Sequence, residues 1–148
     1  MMPRVVGVDF GTKRVGVAVC DPLHTFAQPV GTYARDESID VIAGIAERDG
    51  VGTIVVGWPL DSDGNENVMT QRVDTYIDML AERLGHEGRS VQFVRWDERG
   101  SSREAVSELL RAGAPRKQRG RGGARDRVAA ALILQEYLDE RNAEPGGA

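Results

Sequence analysis

The chain has one cysteine among its 148 residues, Cys20, so an intramolecular disulfide is excluded and no second thiol is present to share a metal. Cys20 closes the apolar run Val15-Gly16-Val17-Ala18-Val19 and reads as buried filler. Histidine is nearly as scarce. Neither His24 nor His86 lies in a motif, no Ser-His or Cys-His arrangement is present, and covalent catalysis is disfavoured. No segment approaches the ~18 consecutive apolar residues of a membrane span, and the N-terminus enters an apolar strand pattern without the features of a signal peptide. A cytoplasmic location with no membrane partner is expected. The length leaves room for one core and not for a second catalytic domain.

The formal net charge of −4 gives little reason to expect a polyanionic partner, but its distribution does. Between Arg111 and Arg127 seven cations face one acid, Asp126, a local surplus of six that leaves the rest of the chain at −10. A concentration of arginine beside an acidic body steers a polyanion, through a field that salt weakens.

Along the chain, residues 4–9 and 14–20 read as strands joined by a tight turn at Gly11-Thr12-Lys13-Arg14. The first strand is expected to be central. A third extended piece at 27–32 contains Pro29, which cannot donate to a ladder and belongs at an edge. A helix is predicted over 38–49, with Ser38 as its cap and Gly50 as its stop. The short apolar strand Thr53-Ile54-Val55-Val56-Gly57 lies between helical stretches, which indicates a parallel position covered on both faces. A second helix, expected to be the longest, carries Val73, Tyr76, Ile77, Leu80 and Leu84 at helical spacing. A strand follows at 91–96, then a helix capped by Ser101 and Glu104 and stopped at Gly113. Residues 114–124 hold three glycines and four cations without an apolar period and are expected to be mobile. A final helix carries Val128, Ala129, Leu132, Ile133 and Leu138. The order β-β-β-α-β-α-β-α-α predicts an α/β fold with one mixed, five-stranded sheet flanked by helices, antiparallel through its first three strands and parallel among the first, fourth and fifth. The domain is expected to span 1–140, with 141–148 a flexible tail.

Three carboxylates stand at the ends of separate elements. Asp9 ends the apolar run Val5-Val6-Gly7-Val8, Glu98 follows the run from Val91 to Trp96, and Asp126 opens the last amphipathic stretch. An ionised Asp at the end of a buried strand is costly without a cation or a task. Three such acids brought together would repel one another unless a divalent ion neutralised them. Mg²⁺ suits hard oxygen ligands, and two ions roughly 3.5–4 Å apart can activate a water and stabilise a leaving oxygen in phosphodiester hydrolysis. Ala129 and Ala130 lie three and four residues past Asp126 and keep the helix small on the side expected to face the sheet. Asp97 is open to either an orienting or a ligating role. Lys13 and Arg14, beside Asp9, are read either as solvated turn charges or as phosphate ligands.

The segments Val8-Asp9-Phe10-Gly11-Thr12-Lys13-Arg14-Val15-Gly16-Val17-Ala18, Gly57-Trp58-Pro59-Leu60 with Asp63-Gly64, Asp97-Glu98-Arg99, and Asp126 ahead of Ala129-Ala130-Ala131-Leu132-Ile133-Leu134 resemble the YqgF family, also called RuvX. The resemblance covers nearly the whole chain in order. It implies a ribonuclease H-like fold and a nuclease dependent on Mg²⁺ or Mn²⁺, with two ions held by the acidic triad Asp9, Glu98 and Asp126. Asp9 would bridge both ions. It further implies action in 5′-end maturation of pre-16S rRNA, on structured RNA or ribosomal precursor particles, with Holliday junction resolution on branched DNA as the alternative. Arg99, Arg116, Lys117, Arg119, Arg121 and Arg125 would engage phosphates, and Lys13 or Arg14 the scissile one. One departure is visible: the family places a bulky apolar residue after its Asp-Glu-Arg, whereas Gly100 stands here and loosens the turn that holds Glu98.

Two further classes stay open. Asp9-Phe10-Gly11-Thr12 also looks like the first phosphate loop of sugar kinases and actin-like ATPases, which close two related domains around ATP where this chain has one. A non-catalytic RNA-binding factor of ribosome assembly would retain the cation-rich segment and use the triad, if at all, for a structural metal. A monomer or weak homodimer is expected, the apolar faces being accounted for by one core.

Overall fold

A computed structural model describes residues 3–86, 90–98 and 122–143, with side chains from Val128 onward in the last segment. In chain order these form β1 (Arg4–Phe10), β2 (Val15–Cys20), β3 (Ala27–Tyr33), α1 (Arg35–Asp49), β4 (Val51–Trp58), α2 (Val68–His86), β5 (Gln92–Asp97) and α3 (Gly122–Ala143). The five strands make one mixed sheet in the order β3-β2-β1-β4-β5. The β1–β2 and β2–β3 pairs are antiparallel, and β4 runs parallel to β1 on one side and to β5 on the other. The predicted sheet is therefore observed, with β1 central and Pro29 on the edge strand, opposite Ala18 at a register shift.

Local chemistry explains most boundaries. The β1–β2 hairpin closes through the Gly11 N–H, which donates to the Arg14 carbonyl at 2.9 Å. A Cβ on Gly11 would stand 2.7 Å from that same carbonyl oxygen, so the turn requires glycine. α1 begins at Arg35, three residues before the predicted start, and Ser38 is not its cap. The Ser38 hydroxyl is turned inward, donating to the Arg35 carbonyl at 2.5 Å and lying 2.6 Å from the Tyr76 hydroxyl. Because the Ser38 proton is committed to Arg35, Tyr76 is the donor in the second bond. Burial pushes the Tyr76 phenol up to about 12. α2 is capped by Asn67, whose Oδ1 accepts the Met69 and Thr70 amides at 2.8 and 3.2 Å while the Asn67 amide donates to Thr70 Oγ1 at 2.7 Å.

α3 has 22 residues against 19 for α2, so the last helix and not the second is the longest described. It starts in the glycines at 122 and 123 and continues to Ala143, past the expected start of the tail at 141. The docked stretch from Val128 to Leu138 supplies packing that carries additional turns at both ends, offsetting about 1 kcal/mol for each helical glycine. The helix predicted from Ser101 to Gly113, the departure at Gly100, most of the cation-rich segment and the last five residues lie outside the described residues.

The sheet divides two clusters. On one face Val6, Val8, Val15, Val17, Ile54, Val56 and Trp58 pack under α1 and α2. On the other, Val5, Ala18, Cys20 and Val55 meet Ala130, Ile133, Leu134 and Leu138 of α3. Cys20 is fully buried and accepts the Val5 amide at 3.1 Å, and burial pushes its thiol up from its ordinary value, in keeping with a filler role.

Candidate active site

Asp9 is the penultimate residue of β1, and the pleat decides which way it faces. Val6 and Val8 belong to the α1/α2 cluster and Val5 to the α3 cluster, so Gly7 and Asp9 share the α3 face with Val5. Its antiparallel partner is Gly16. One step past the last β1–β4 register pair, Val8 with Val56, Gly57 lies beside Asp9. Glu98 follows β5 directly, and its amide donates to the Trp58 carbonyl at 3.4 Å.

The side chain of Glu98 reaches back across β4. A Cβ built on Gly57 would overlap the Glu98 carboxylate oxygen Oε1, and would stand 2.8 Å from the carboxylate carbon and 2.9 Å from Ile133 Cδ1. Glycine at 57 is thus the space in which the Glu98 carboxylate sits, on the α3 face and next in register to Asp9. Asp97 pairs with Trp58 and falls on the opposite face.

α3 closes on this face because the sheet is small beneath it. A Cβ on Gly7 would lie 2.7 Å from Leu134 Cβ and 2.8 Å from the Ala130 carbonyl oxygen, so the helix backbone rests directly on β1. The helix runs against the strand. Leu138 packs with Val5 and Cys20, and Asn142 donates to the carbonyl of His24, whose ring meets the Pro3 carbonyl near the start of β1. Four residues of helix toward its N-terminus from Ala130 cover ~6 Å, about the rise of two strand residues from Gly7 to Asp9. The α3 backbone at Asp126 therefore stands about level with Asp9. The Trp96 indole donates to Glu136 at 2.9 Å and packs edge-on to Tyr137, fastening the strand that precedes Glu98 to the same helix.

Of the expected phosphate ligands, Lys13 and Arg14 are exposed in the β1–β2 turn immediately after Asp9. Arg125 falls in the first turns of α3. Arg99, Arg116, Lys117, Arg119 and Arg121 lie outside the described residues. Sequence reasoning missed Gly57 as a structural requirement of the site. A glycine inside an apolar strand is the available signal, since it marks close approach of another group.

Hard oxygen donors on one face, with a glycine holding space between them, fit a divalent cation better than a soft one. Among the described residues no group of three or more His, Cys, Asp or Glu side chains is gathered.

The sheet order and connectivity, with acids at the carboxyl ends of the two parallel strands that flank β4, define the ribonuclease H-like class. The RuvC structure from Thermus thermophilus matches the chain with a TM-score of 0.53 at 15% identity, over 94% of this chain and 96% of the other. T. thermophilus RuvC in complex with a Holliday junction substrate matches with a TM-score of 0.58 at 16% identity, over 97% and 99%. At that identity the likeness is one of fold. The family follows from sequence: residues 3–140 match the model described as "RuvX: Holliday junction resolvase". A relative from Salinibacter ruber is 48% identical over 136 residues, 92% of each chain, and one from Chlorobaculum tepidum is 41% identical over 139 residues, 94% of this chain and 95% of its own. Both carry the provisional name pre-16S rRNA nuclease. The chain belongs to the RuvX family.

Proposed function

We propose that the chain is a divalent-metal-dependent nuclease that hydrolyses phosphodiester bonds in structured RNA, in the 5′-end maturation of pre-16S rRNA, with the cytoplasm as its compartment. One observation carries the chemistry: the Glu98 carboxylate occupies the space left by Gly57, beside Asp9 and on the face where the α3 backbone at Asp126 draws level. The substrate follows from the names of relatives at 48% and 41% identity.

Asp9, Glu98 and Asp126 would hold two divalent ions, Mg²⁺ or Mn²⁺. Bound there, the ions supply Lewis acidity for the attacking water and the leaving oxygen. The residues of the chain do the positioning. Gly57 keeps the Glu98 carboxylate over the sheet, the Glu98 amide holds the turn to Trp58, and the seating of α3 on Gly7 fixes the height of the third acid. Lys13, Arg14, Arg99, Arg116, Lys117, Arg119, Arg121 and Arg125 engage substrate phosphates, and their contribution to binding weakens as salt rises.

The description of the family model favours a second reading, resolution of branched DNA. That activity needs two sites on opposed strands, so a strictly monomeric protein speaks against it. Cleavage of a labelled pre-16S rRNA 5′ segment and of a synthetic four-way DNA junction, with Mg²⁺, Mn²⁺ or chelator, separates the readings. Metal-dependent cutting of the RNA is expected, reduced at least about a hundredfold to a thousandfold in Asp9→Asn. Equal rates for Asp9→Asn and wild type would overturn the site assignment. Symmetric cutting of the junction alone would favour the resolvase, and tight RNA binding without cutting would favour the assembly factor.

A further inference from the structure

A cavity lies on the opposite face of the sheet from Glu98. It has a volume of about 490 Å³ and opens between the β1–β2 turn, the start of α1 and the middle of α2. Four cations from three elements line it: Lys13 and Arg14 from the turn, Arg35 from α1 and Arg72 from α2. The acid among the lining residues, Asp36, is paired with Arg35 at 3.2 Å, both side chains being exposed, so the rim keeps a surplus of positive charge in a chain whose net charge is −4. Arg72 makes no ion pair with a described residue.

The floor is of another character. Phe10 and Met79, both partly buried, form it, backed by the buried Tyr76, whose ring lies 5.0 Å from that of Phe10, tilted by 46°. A cationic rim over an aromatic and thioether floor suits a nucleotide, whose base packs on the apolar surface while its phosphates meet the cations. The volume is within the range of small-ligand sites.

Position ties this cavity to the acids. Asp9 and Phe10 are consecutive, and the pleat sends the first to the α3 face and the second to the floor of the cavity. A strand passing over the β1–β2 turn meets both, one on each side of the sheet edge. We propose that this cavity receives the nucleotide of the single-stranded substrate segment that flanks the scissile bond, with Arg35 and Arg72 as phosphate ligands in addition to Lys13 and Arg14. The proposal rests on the nuclease reading for the identity of the strand, but its binding test does not require cleavage.

The test uses the full chain carrying Asp9→Asn and a fluorescein-labelled single-stranded RNA octamer, with affinity measured at several salt concentrations. Adding Arg72→Glu is expected to weaken binding about five- to tenfold at low salt and to reduce the salt slope by about 0.7 to 1. Thr75→Trp, at an exposed position in the cavity wall, is expected to weaken binding by a similar factor while leaving the slope unchanged. Arg48→Glu, in the last turn of α1 and not among the lining residues, should stay within twofold. Affinities for Arg72→Glu and Thr75→Trp within twofold of the parent would overturn the proposal, and so would a 5′-mononucleotide that binds as tightly as the octamer. In an otherwise wild-type chain, Arg72→Glu is expected to raise KM with kcat nearly unchanged. RNA cleavage indifferent to Arg72 would remove the cavity and keep the nuclease. Arg72-dependent binding by a wild-type chain that cuts nothing would do the reverse.

Discussion

The two faces of the sheet are built from different residues for different ends. Under α1 and α2 the contacts are bulky: Ile42, Ile54, Tyr76, Leu80 and Leu84 are all essentially inaccessible, and two helices share the load. Under α3 the sheet presents Gly7, Ala18 and Gly57, and the helix answers with Ala130 and Ala131. Large side chains hold helices away from a sheet and bury more apolar area, about 1.5–3 kcal/mol for each fully buried aliphatic residue. Small ones bring the backbones together and leave space at the strand ends for charged groups. The larger apolar cluster lies on the first face, and the Asp9 and Glu98 carboxylates stand on the second, beside a smaller one.

That division can be broken experimentally. Truncating Ile42, which is fully buried in α1, to Ala should cost about 2–5 kcal/mol in denaturant unfolding. The cleavage rate per folded molecule should not change, because that side chain packs in the α1/α2 cluster, across the sheet from Glu98; a rate loss as large as the stability loss would merge the two faces into one functional unit. Gly57→Ala tests the opposite side. Its methyl would displace the Glu98 carboxylate, so cleavage should fall by roughly a hundredfold, while the unfolding midpoint moves far less than for Ile42→Ala, since the Glu98 side chain can swing away.

Alkali sharpens the same contrast. Tyr76 has its phenol raised to about 12 by burial, above the ordinary value of 10.0. The folded state therefore holds that proton more tightly than the unfolded chain. This contribution is fully present below pH ~10 and is lost as pH rises from there through ~12, about 3 kcal/mol in all. Unfolding of Tyr76→Phe followed over that range should show a smaller alkaline loss than wild type; parallel curves would mean that another group dominates. The smallest effect is expected from Arg95→Ala. Arg95 pairs with Asp74 at 2.7 Å and lies 5.1 Å over the Trp58 ring, but both charged partners are about half exposed, so the loss should stay below about 1 kcal/mol.

Much of this was legible in the chain itself, for reasons that can be given residue by residue. Asp9 interrupts an apolar run where a charge is costly, and Glu98 does the same at the end of another, so both are conspicuous without coordinates. Pro29 assigned its own strand to an edge, and Gly11 its own turn. Ser38 misled because a hydroxyl near a helix start has two local uses, capping and back-bonding, and only the approach of Tyr76 from α2 selects the second. The extent of α3 misled because glycines at 122 and 123 argue against a helix locally, and the packing that overrides them comes from a sheet assembled elsewhere.

Composition and periodicity thus determined which segments are strands, that the sheet is mixed, and which carboxylates have no business in a core. They could do so because burial, backbone dihedral limits and charge desolvation act on each residue where it stands. Which groups share a face was decided by register. That Gly57 makes room for Glu98, that Phe10 turns away from Asp9 into a cationic cavity, and that Arg35 and Arg72 meet Lys13 and Arg14 there all depend on how strands and helices distant in sequence are aligned. A shift of one residue in strand register would send Phe10 to the face of Asp9 and take Gly57 from beneath Glu98.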